Sequence, residues 1–319
     1  MRPRLDQLDG GANPGVTGQR VLVTGAGGFV GRHLVRRLHR AGASVIPLTR
    51  QTCDLTDPDA VRRVVRDARP DVVMHLAAAR QAATSTDRLA TTAVNTLSGV
   101  WVIEALSSTC RSVIRLGSST EYAAADGPMD ERTPLQPRGF FGATKAAGSL
   151  LFAAAAGERG IRATVLRAFQ VYGPDDKPAR FVPTVLAAAA HGTAVALTVP
   201  GMRRDWVWVE DVIDACLLAA AIDGLPAGAV YNIGTGVQTT NEELVAVAEE
   251  VTGRSITVAP DQHPGRSWDT ANWVSDPNAA RAELNWEPRV TLREGLARCW
   301  AALSITDSRS AAMAAGALL

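Results

Sequence analysis

The sequence predicts an α/β fold: a doubly wound parallel sheet with a smaller C-terminal substrate-binding lobe. Three observations carry that expectation. Short apolar strands alternate with helical segments from Arg20 to Arg167, the pattern of right-handed βαβ units. The first strand runs into a glycine-rich turn that opens a helix. Beyond Gly173-Pro174 the rhythm loosens and prolines recur from Pro174 to Pro288.

Taken in order, residues 1–18 are Gly/Pro/Asn-rich without periodicity and read as a flexible leader. Arg20–Thr24 is a short apolar strand. Val30, Leu34, Val35 and Leu38 recur at helical spacing over Phe29–Arg40, and Gly42 ends that helix. Ala43–Leu48 is the second strand and Asp59–Ala68 the second helix. Asp71–Leu76 is a third strand, apolar enough to be buried on both faces. A helix over Asn95–Ser107 and a strand over Ser112–Leu116 follow, the strand ending at Gly117-Ser118-Ser119. An Ala-rich helix over Phe140–Gly157 and a strand over Ala163–Arg167 complete the alternation. The chain returns to the sheet around Asp211–Ala221 and Val230–Ile233. The division is therefore 19–173 for the sheet domain, with returns near 206–236, mainly 174–303 for the lobe, and 304–319 for a tail.

Composition narrows the function. A net charge of +1 provides no long-range field for nucleic acid or an anionic membrane, so any anionic ligand must be held by local groups. Cys53, Cys110, Cys216 and Cys299 are scattered and form no CxxC pair, so neither a disulfide framework nor a metal site is expected. The first residues do not form a signal peptide. The stretch Thr184–Val199, interrupted by His191, Gly192 and Thr193, is too short to span a membrane. A cytoplasmic enzyme is expected. Of 33 basic residues only Lys145 and Lys177 are lysines. In a chain so biased to arginine, a lysine marks a position that needs a compact ammonium.

Gly25, Gly28 and Gly31 sit in Thr24-Gly25-Ala26-Gly27-Gly28-Phe29-Val30-Gly31. The first allows a tight turn, the second a close approach of backbone to pyrophosphate, and the third close helix–strand packing. The following helix start offers free N–H groups to the phosphates. Strand before and helix after complete the context for NAD(P) on a Rossmann sheet. The second strand ends Leu48-Thr49-Arg50 without the acid that grips an adenosine ribose. Arg50 instead favours the 2′-phosphate of NADP, although a solvated arginine is the alternative. Asp54-Leu55 is placed to meet the adenine.

These residues, with His75-Leu76-Ala77-Ala78, Asn95, Ser118-Ser119, Val171-Tyr172-Gly173-Pro174, Arg204 to Val212, Tyr231 to Gly236 and Leu284 to Pro288, occur in family order. Over about 19–303 the chain resembles the extended short-chain dehydrogenases/reductases that act on nucleotide sugars. The resemblance implies that Leu76, Ala77 and Ala78 line the cofactor. It places Phe169, Gln170 and Val171 by the nicotinamide and sugar, although the family often has Asn where this chain has Gln170. It implies substrate contacts from Arg180 and a diphosphate clamp from Arg204 and Arg266, a duty suited to guanidinium forks. It also implies a homodimer through Phe140–Gly157 and Asn95–Ser107.

The family moves a hydride between sugar and nicotinamide, with a tyrosine carrying the proton, a lysine four residues later, and a Ser/Thr on the same oxygen. Spacing of four puts two side chains on one helical face. Lys145 and Ser119 match, but position 141 is Phe141, which has no proton to transfer. Three readings stay open: an introduced Tyr-to-Phe exchange that traps substrate; replacement by Tyr122 or Glu121; or binding without redox turnover. In family dehydratases an acid at the spacing of Glu121 removes a C5 proton, whereas some 4-ketoreductases carry a similar run without that duty. The leading expectation is an epimerase/dehydratase: C4 oxidation of an NDP-hexose, C5/C6 proton chemistry by Glu121 and hydride return. An NADPH-dependent deoxysugar 4-ketoreductase and an inactive binding protein are the alternatives.

Overall fold

The computed structural model describes residues 15–79, 87–197, 200–259 and 271–303. The leader up to residue 14, the tail 304–319 and Arg266 lie outside them.

In chain order the strands are β1 (Arg20–Thr24), β2 (Ser44–Leu48), β3 (Val72–His75), β4 (Ser112–Ser118), β5 (Arg162–Ala168), β6 (Gln170–Tyr172), β7 (Val195–Ala196), β8 (Arg203–Trp208), β9 (Ala229–Ile233), β10 (Gln238–Thr240) and β11 (Val258–Ala259). Six form one parallel sheet in the order β2-β1-β3-β4-β5-β9. Helices Phe29–Arg40 and Val209–Ala221 cover one face, burying Leu34, Leu38, Val212 and Ile213. Pro58–Ala68, Ser98–Ala105 and Phe140–Glu158 cover the other, burying Val61, Val65, Ile103 and Phe152. This is the doubly wound Rossmann sheet. Because β1 lies between β2 and β3, the chain changes direction there, and the crevice for a ligand opens beyond the carboxyl ends of β1 and β3. Two small sheets, β10-β8-β6 and β11-β7, are built from the later half of the chain.

Several details depart from the sequence reading. Residues 15–18 pack with the core: Val16 is fully buried and Thr17 Oγ1 donates to Ala41 O. The helix expected at Asn95 starts at Arg88, where the Asp87 carboxylate accepts the Ala90 N–H at 2.9 Å. A π turn, Ala93–Leu97, breaks its apolar period and hides the first turns from a 3.6-residue pattern. Asp211 lies in the first turn of its helix and accepts the N–H groups of Arg289 and Val290. Among the described residues one helix, Phe140–Glu158, has the length and composition of a membrane span. It packs on β4, β5 and Ser98–Ala105 and leaves Leu150 (59% exposed) and Leu151 (45%) uncovered.

Candidate functional site

The cradle is shaped by backbone. Gly25 has φ +71°, the left-handed region, and a Cβ there would stand 2.8 Å from Ala77 N and Cα. A Cβ on Gly31 would stand 2.1 Å from Gly25 O. Gly28 starts the helix Phe29–Arg40, whose first turn has no side-chain cap and no acid, so its N–H groups and positive end are open to an anion. Leu76 and Ala77 are buried under this turn, Ala78 is exposed, and Phe29 and Val30 are half-buried. These residues fit a dinucleotide pyrophosphate. Beside the cradle a cavity of about 300 Å³ is lined in part by Gly27, Arg32, Arg36 and Thr49. Arg50 is exposed just beyond β2, and Leu55 is half-buried. The Asp54 carboxylate accepts the Thr56 N–H and O–H at 2.9 and 2.8 Å, which holds its pKa below the usual range.

The catalytic corner forms where β4 ends. Ser119 opens a single 3₁₀ turn to Glu121. Ser118 Oγ accepts the Thr120 N–H, and Glu121 Oε1 accepts the Ser118 N–H at 2.8 Å, a reciprocal cap. A Cβ on Gly142 would stand 2.3 Å from Thr120 O, so the helix Phe140–Glu158 starts in direct contact with this turn. That contact brings the start of the helix, which carries Phe141 and Lys145 one turn apart, against the turn Ser119–Glu121. Lys145 is buried and its Nζ donates to Leu116 O at 2.6 Å. Burial first, then the Arg115 guanidinium, push its pKa down to about 7. Asn95 fastens the corner to the loop after β3. Its Oδ1 accepts the Ala79 N–H, and its Nδ2 donates to Ala79 O and Thr144 Oγ1.

Glu121 and Tyr122, the residues expected beside the missing hydroxyl, are both buried. The Glu121 side chain is 0% exposed. Its Oε1 also accepts from Ser149 Oγ, and its Oε2 accepts from Arg167 Nε at 3.0 Å. The Tyr122 hydroxyl donates to Asn232 Oδ1 at 2.7 Å and accepts from Arg167 Nη1 at 2.9 Å. Burial pushes that phenol up to about 12. Both groups belong to an enclosed network beneath Ser119.

The substrate candidates are more dispersed. Phe169 is buried between β5 and β6, and Gln170 and Val171 are half-buried on β6. Arg180 donates to Val171 O at 3.3 Å and pairs with Asp176 at 3.4 Å. Arg204, on β8, donates to Arg203 O. Sequence reasoning missed Trp273, whose indole Nε1 donates to Ser119 Oγ at 2.7 Å. It also missed Arg115 and Arg167, although a charge inside each apolar strand was a readable signal. Arg115 is fully buried and donates to Asn95 O from its Nη2.

A glycine cradle at the switch point of a parallel sheet, with Ser119 and Lys145 at its edge, defines a dinucleotide-binding Rossmann protein of the extended short-chain dehydrogenase type. Residues 21–234 match the NAD dependent epimerase/dehydratase family. The chain belongs to that family. It is 30% identical over 310 residues to a UDP-glucose 4-epimerase of Mycolicibacterium smegmatis, covering 88% of this chain and 96% of the relative. It is also 30% identical over 308 residues to dTDP-6-deoxy-L-talose 4-dehydrogenase (NAD(P)(+)) of Kitasatospora kifunensis, covering 89% and 96%. Among solved structures, MoeE5 in complex with UDP-glucose and NAD superposes with a TM-score of 0.80 at 30% identity, covering 90% and 99%.

Proposed function

We propose that this protein reduces the C4 carbonyl of a nucleoside-diphosphate hexose, as an NAD(P)H-dependent 4-ketoreductase. The observation that carries this reading over dehydration or epimerisation through C5 is the enclosure of Glu121: its side chain is fully buried and its carboxylate is committed to three donors. The likeness to a sugar-nucleotide 4-dehydrogenase supports it. Bound in the cradle, a reduced nicotinamide dinucleotide supplies the hydride. Ser119 donates to the C4 oxygen, and Lys145 holds the ribose from the same helical face as Phe141. Phe141 fills the tyrosine position without its proton, so the proton that completes the alcohol passes to the C4 oxygen from the Ser119 hydroxyl, which is restored from water, and this step is slow. NADPH is the proposed cofactor, on Arg50 and the absence of an acid at the end of β2. Gln170, Arg180, Arg204 and Arg266 are the proposed substrate contacts, with most of the lobe contributed by 174–303. The exposed Leu89, Leu97, Leu150 and Leu151 support a homodimer through the helices that carry them.

A second reading, binding of cofactor and nucleotide sugar without turnover, is favoured by Phe141 itself. One experiment decides among the three. The protein is incubated with UDP- and dTDP-hexoses and their 4-keto forms, with and without NADPH or NADH. Consumption of NADPH in step with loss of a 4-keto sugar is the expected result. Conversion of a 4-hydroxy sugar without added reduced cofactor would establish internal hydride return instead, and binding without conversion would establish the second reading.

A further inference from the structure

The contact between Trp273 and Ser119 joins residues 154 positions apart at the reacting corner. The segment that carries Trp273 is held firmly. The buried Asp205 carboxylate accepts from Ser275 N, Ser275 Oγ, Thr235 N, Thr235 Oγ1 and Gly236 N. Met129 brackets the same segment, its N–H donating to Val274 O and its carbonyl accepting from Asp276 N. A Cβ on Gly234 would stand 2.5 Å from Ser275 Oγ, so the fit is close. The indole is therefore placed by a strand, a turn and a loop together.

The chemistry of the pair is one-directional. An indole N–H only donates, whereas a hydroxyl has one hydrogen and two lone pairs. Ser119 Oγ must accept from Trp273, and among the described residues no hydrogen bond runs from the Ser119 hydroxyl to an acceptor. Its hydrogen is thus available to a ligand oxygen, and donation from the indole makes it a stronger donor. Around it, Phe141 has no acceptor, and Lys145 Nζ donates to Leu116 O. A sugar carbonyl finds hydrogens to accept in this corner. A sugar hydroxyl must instead place its own hydrogen on the one Ser119 lone pair that the indole leaves.

We propose that Trp273 is a positioning residue that fixes the Ser119 hydroxyl as a donor, so that the corner takes a 4-keto sugar in preference to its 4-hydroxy counterpart. This rests on the nucleotide-sugar reading above and assigns the oxidation state of the ligand within it.

Two measurements test it on the full chain. With ¹⁵N-labelled tryptophan, the indole signal lost in Trp273→Phe identifies Trp273 among the seven tryptophans. That signal is expected to move upfield in Ser119→Ala, as a donor that loses its acceptor does. An unmoved signal means the hydrogen bond does not exist and overturns the proposal. In the second arm, dTDP-4-keto-6-deoxyglucose and dTDP-6-deoxyglucose, with their UDP forms, are titrated by calorimetry with NADP⁺ present so that no ketone is reduced. The keto form is expected to bind at least about tenfold tighter. In Trp273→Phe that ratio is expected to fall about fivefold, the worth of one net hydrogen bond. An unchanged ratio in Trp273→Phe overturns the proposal while leaving the nucleotide-sugar reading intact. If the unmutated protein binds neither form, the nucleotide-sugar reading fails and takes the ligand preference with it. A shifted indole signal would then locate the error in the ligand rather than in the contact.

Discussion

The dinucleotide cradle and the catalytic corner meet at one edge of the sheet but are built by opposite means. In the cradle, shape is carried by what is missing: Gly25 and Gly31 have no Cβ where one would stand within 3 Å of backbone atoms. In the corner, position is carried by side chains. Glu121, Arg167, Tyr122 and Asn232 hold the floor, Asn95 ties one wall, and Trp273 reaches Ser119 from the far half of the chain. A cradle made of backbone depends on a few neighbouring residues. A corner made of side chains depends on residues spread along the chain from Asn95 to Trp273.

The largest expected effect sharpens this contrast. If the corner is intact apart from one oxygen, Phe141→Tyr should raise kcat for a 4-keto sugar by about 10²–10⁴-fold, the usual worth of a positioned proton carrier, with cofactor affinity nearly unchanged. Steady-state kinetics with NADPH and cofactor titration check both halves. A tyrosine that leaves kcat unmoved would mean that more than the hydroxyl is absent.

Next in size is the floor of the corner. Arg167→Met leaves the fully enclosed Glu121 carboxylate without its guanidinium, a loss of about 3–5 kcal/mol for one broken buried pair. Urea unfolding should show the drop, and adding Glu121→Gln should recover most of it. A loss below about 1 kcal/mol would break the claim that side-chain pairing holds this region.

The cradle was legible because its constraint acts on residue identity within seven positions of a strand–helix junction. The sheet was legible because each apolar strand is short and bounded. The corner was only half legible. Ser119 and Lys145 announce themselves by spacing and by the scarcity of lysine. Trp273 does not, since nothing local marks an indole that is placed through Asp205 and Ser275. The enclosure of Glu121 was not legible, because an acid near the site does not reveal the direction in which its carboxylate points; a buried Arg167 on the neighbouring strand decides that. The helix start at Arg88 was hidden by a π turn, and the packing of Val16 by the polar residues around it.

A smaller effect tests the cradle. Gly31→Ala places a methyl 2.1 Å from Gly25 O and 2.9 Å from Ala26 Cα, both backbone atoms that cannot step aside. The expected cost is about 1–3 kcal/mol of stability, as for other overpacked sites, together with loss of measurable dinucleotide binding. Retained binding with full stability would show that the turn can relax and that the contrast between the two regions is overdrawn.

The smallest effect belongs to Lys145, where cradle and corner adjoin. Unfolded, this lysine titrates near its ordinary value of 10.5; folded, burial and Arg115 bring it to about 7. Between those values the unfolded chain holds a proton that the native chain has released. Stability therefore rises with pH across that window, with a slope of up to about 1.4 kcal/mol per unit from this group. Below about 7 both states are protonated, the slope from Lys145 vanishes, and the cost of burying the ammonium is present in full. Tyrosines and cysteines titrate in the same range, so the informative quantity is the difference between the unmutated protein and Lys145→Met, measured by urea unfolding at pH 7 to 9. The variant is expected to lose the slope although it also loses the bond to Leu116 O, because that bond shifts stability by a constant and the proton does not. Equal slopes in the two proteins would mean that the Lys145 ammonium stays charged in the fold, and that the corner supplies it with a counter-charge beyond the distant Glu121.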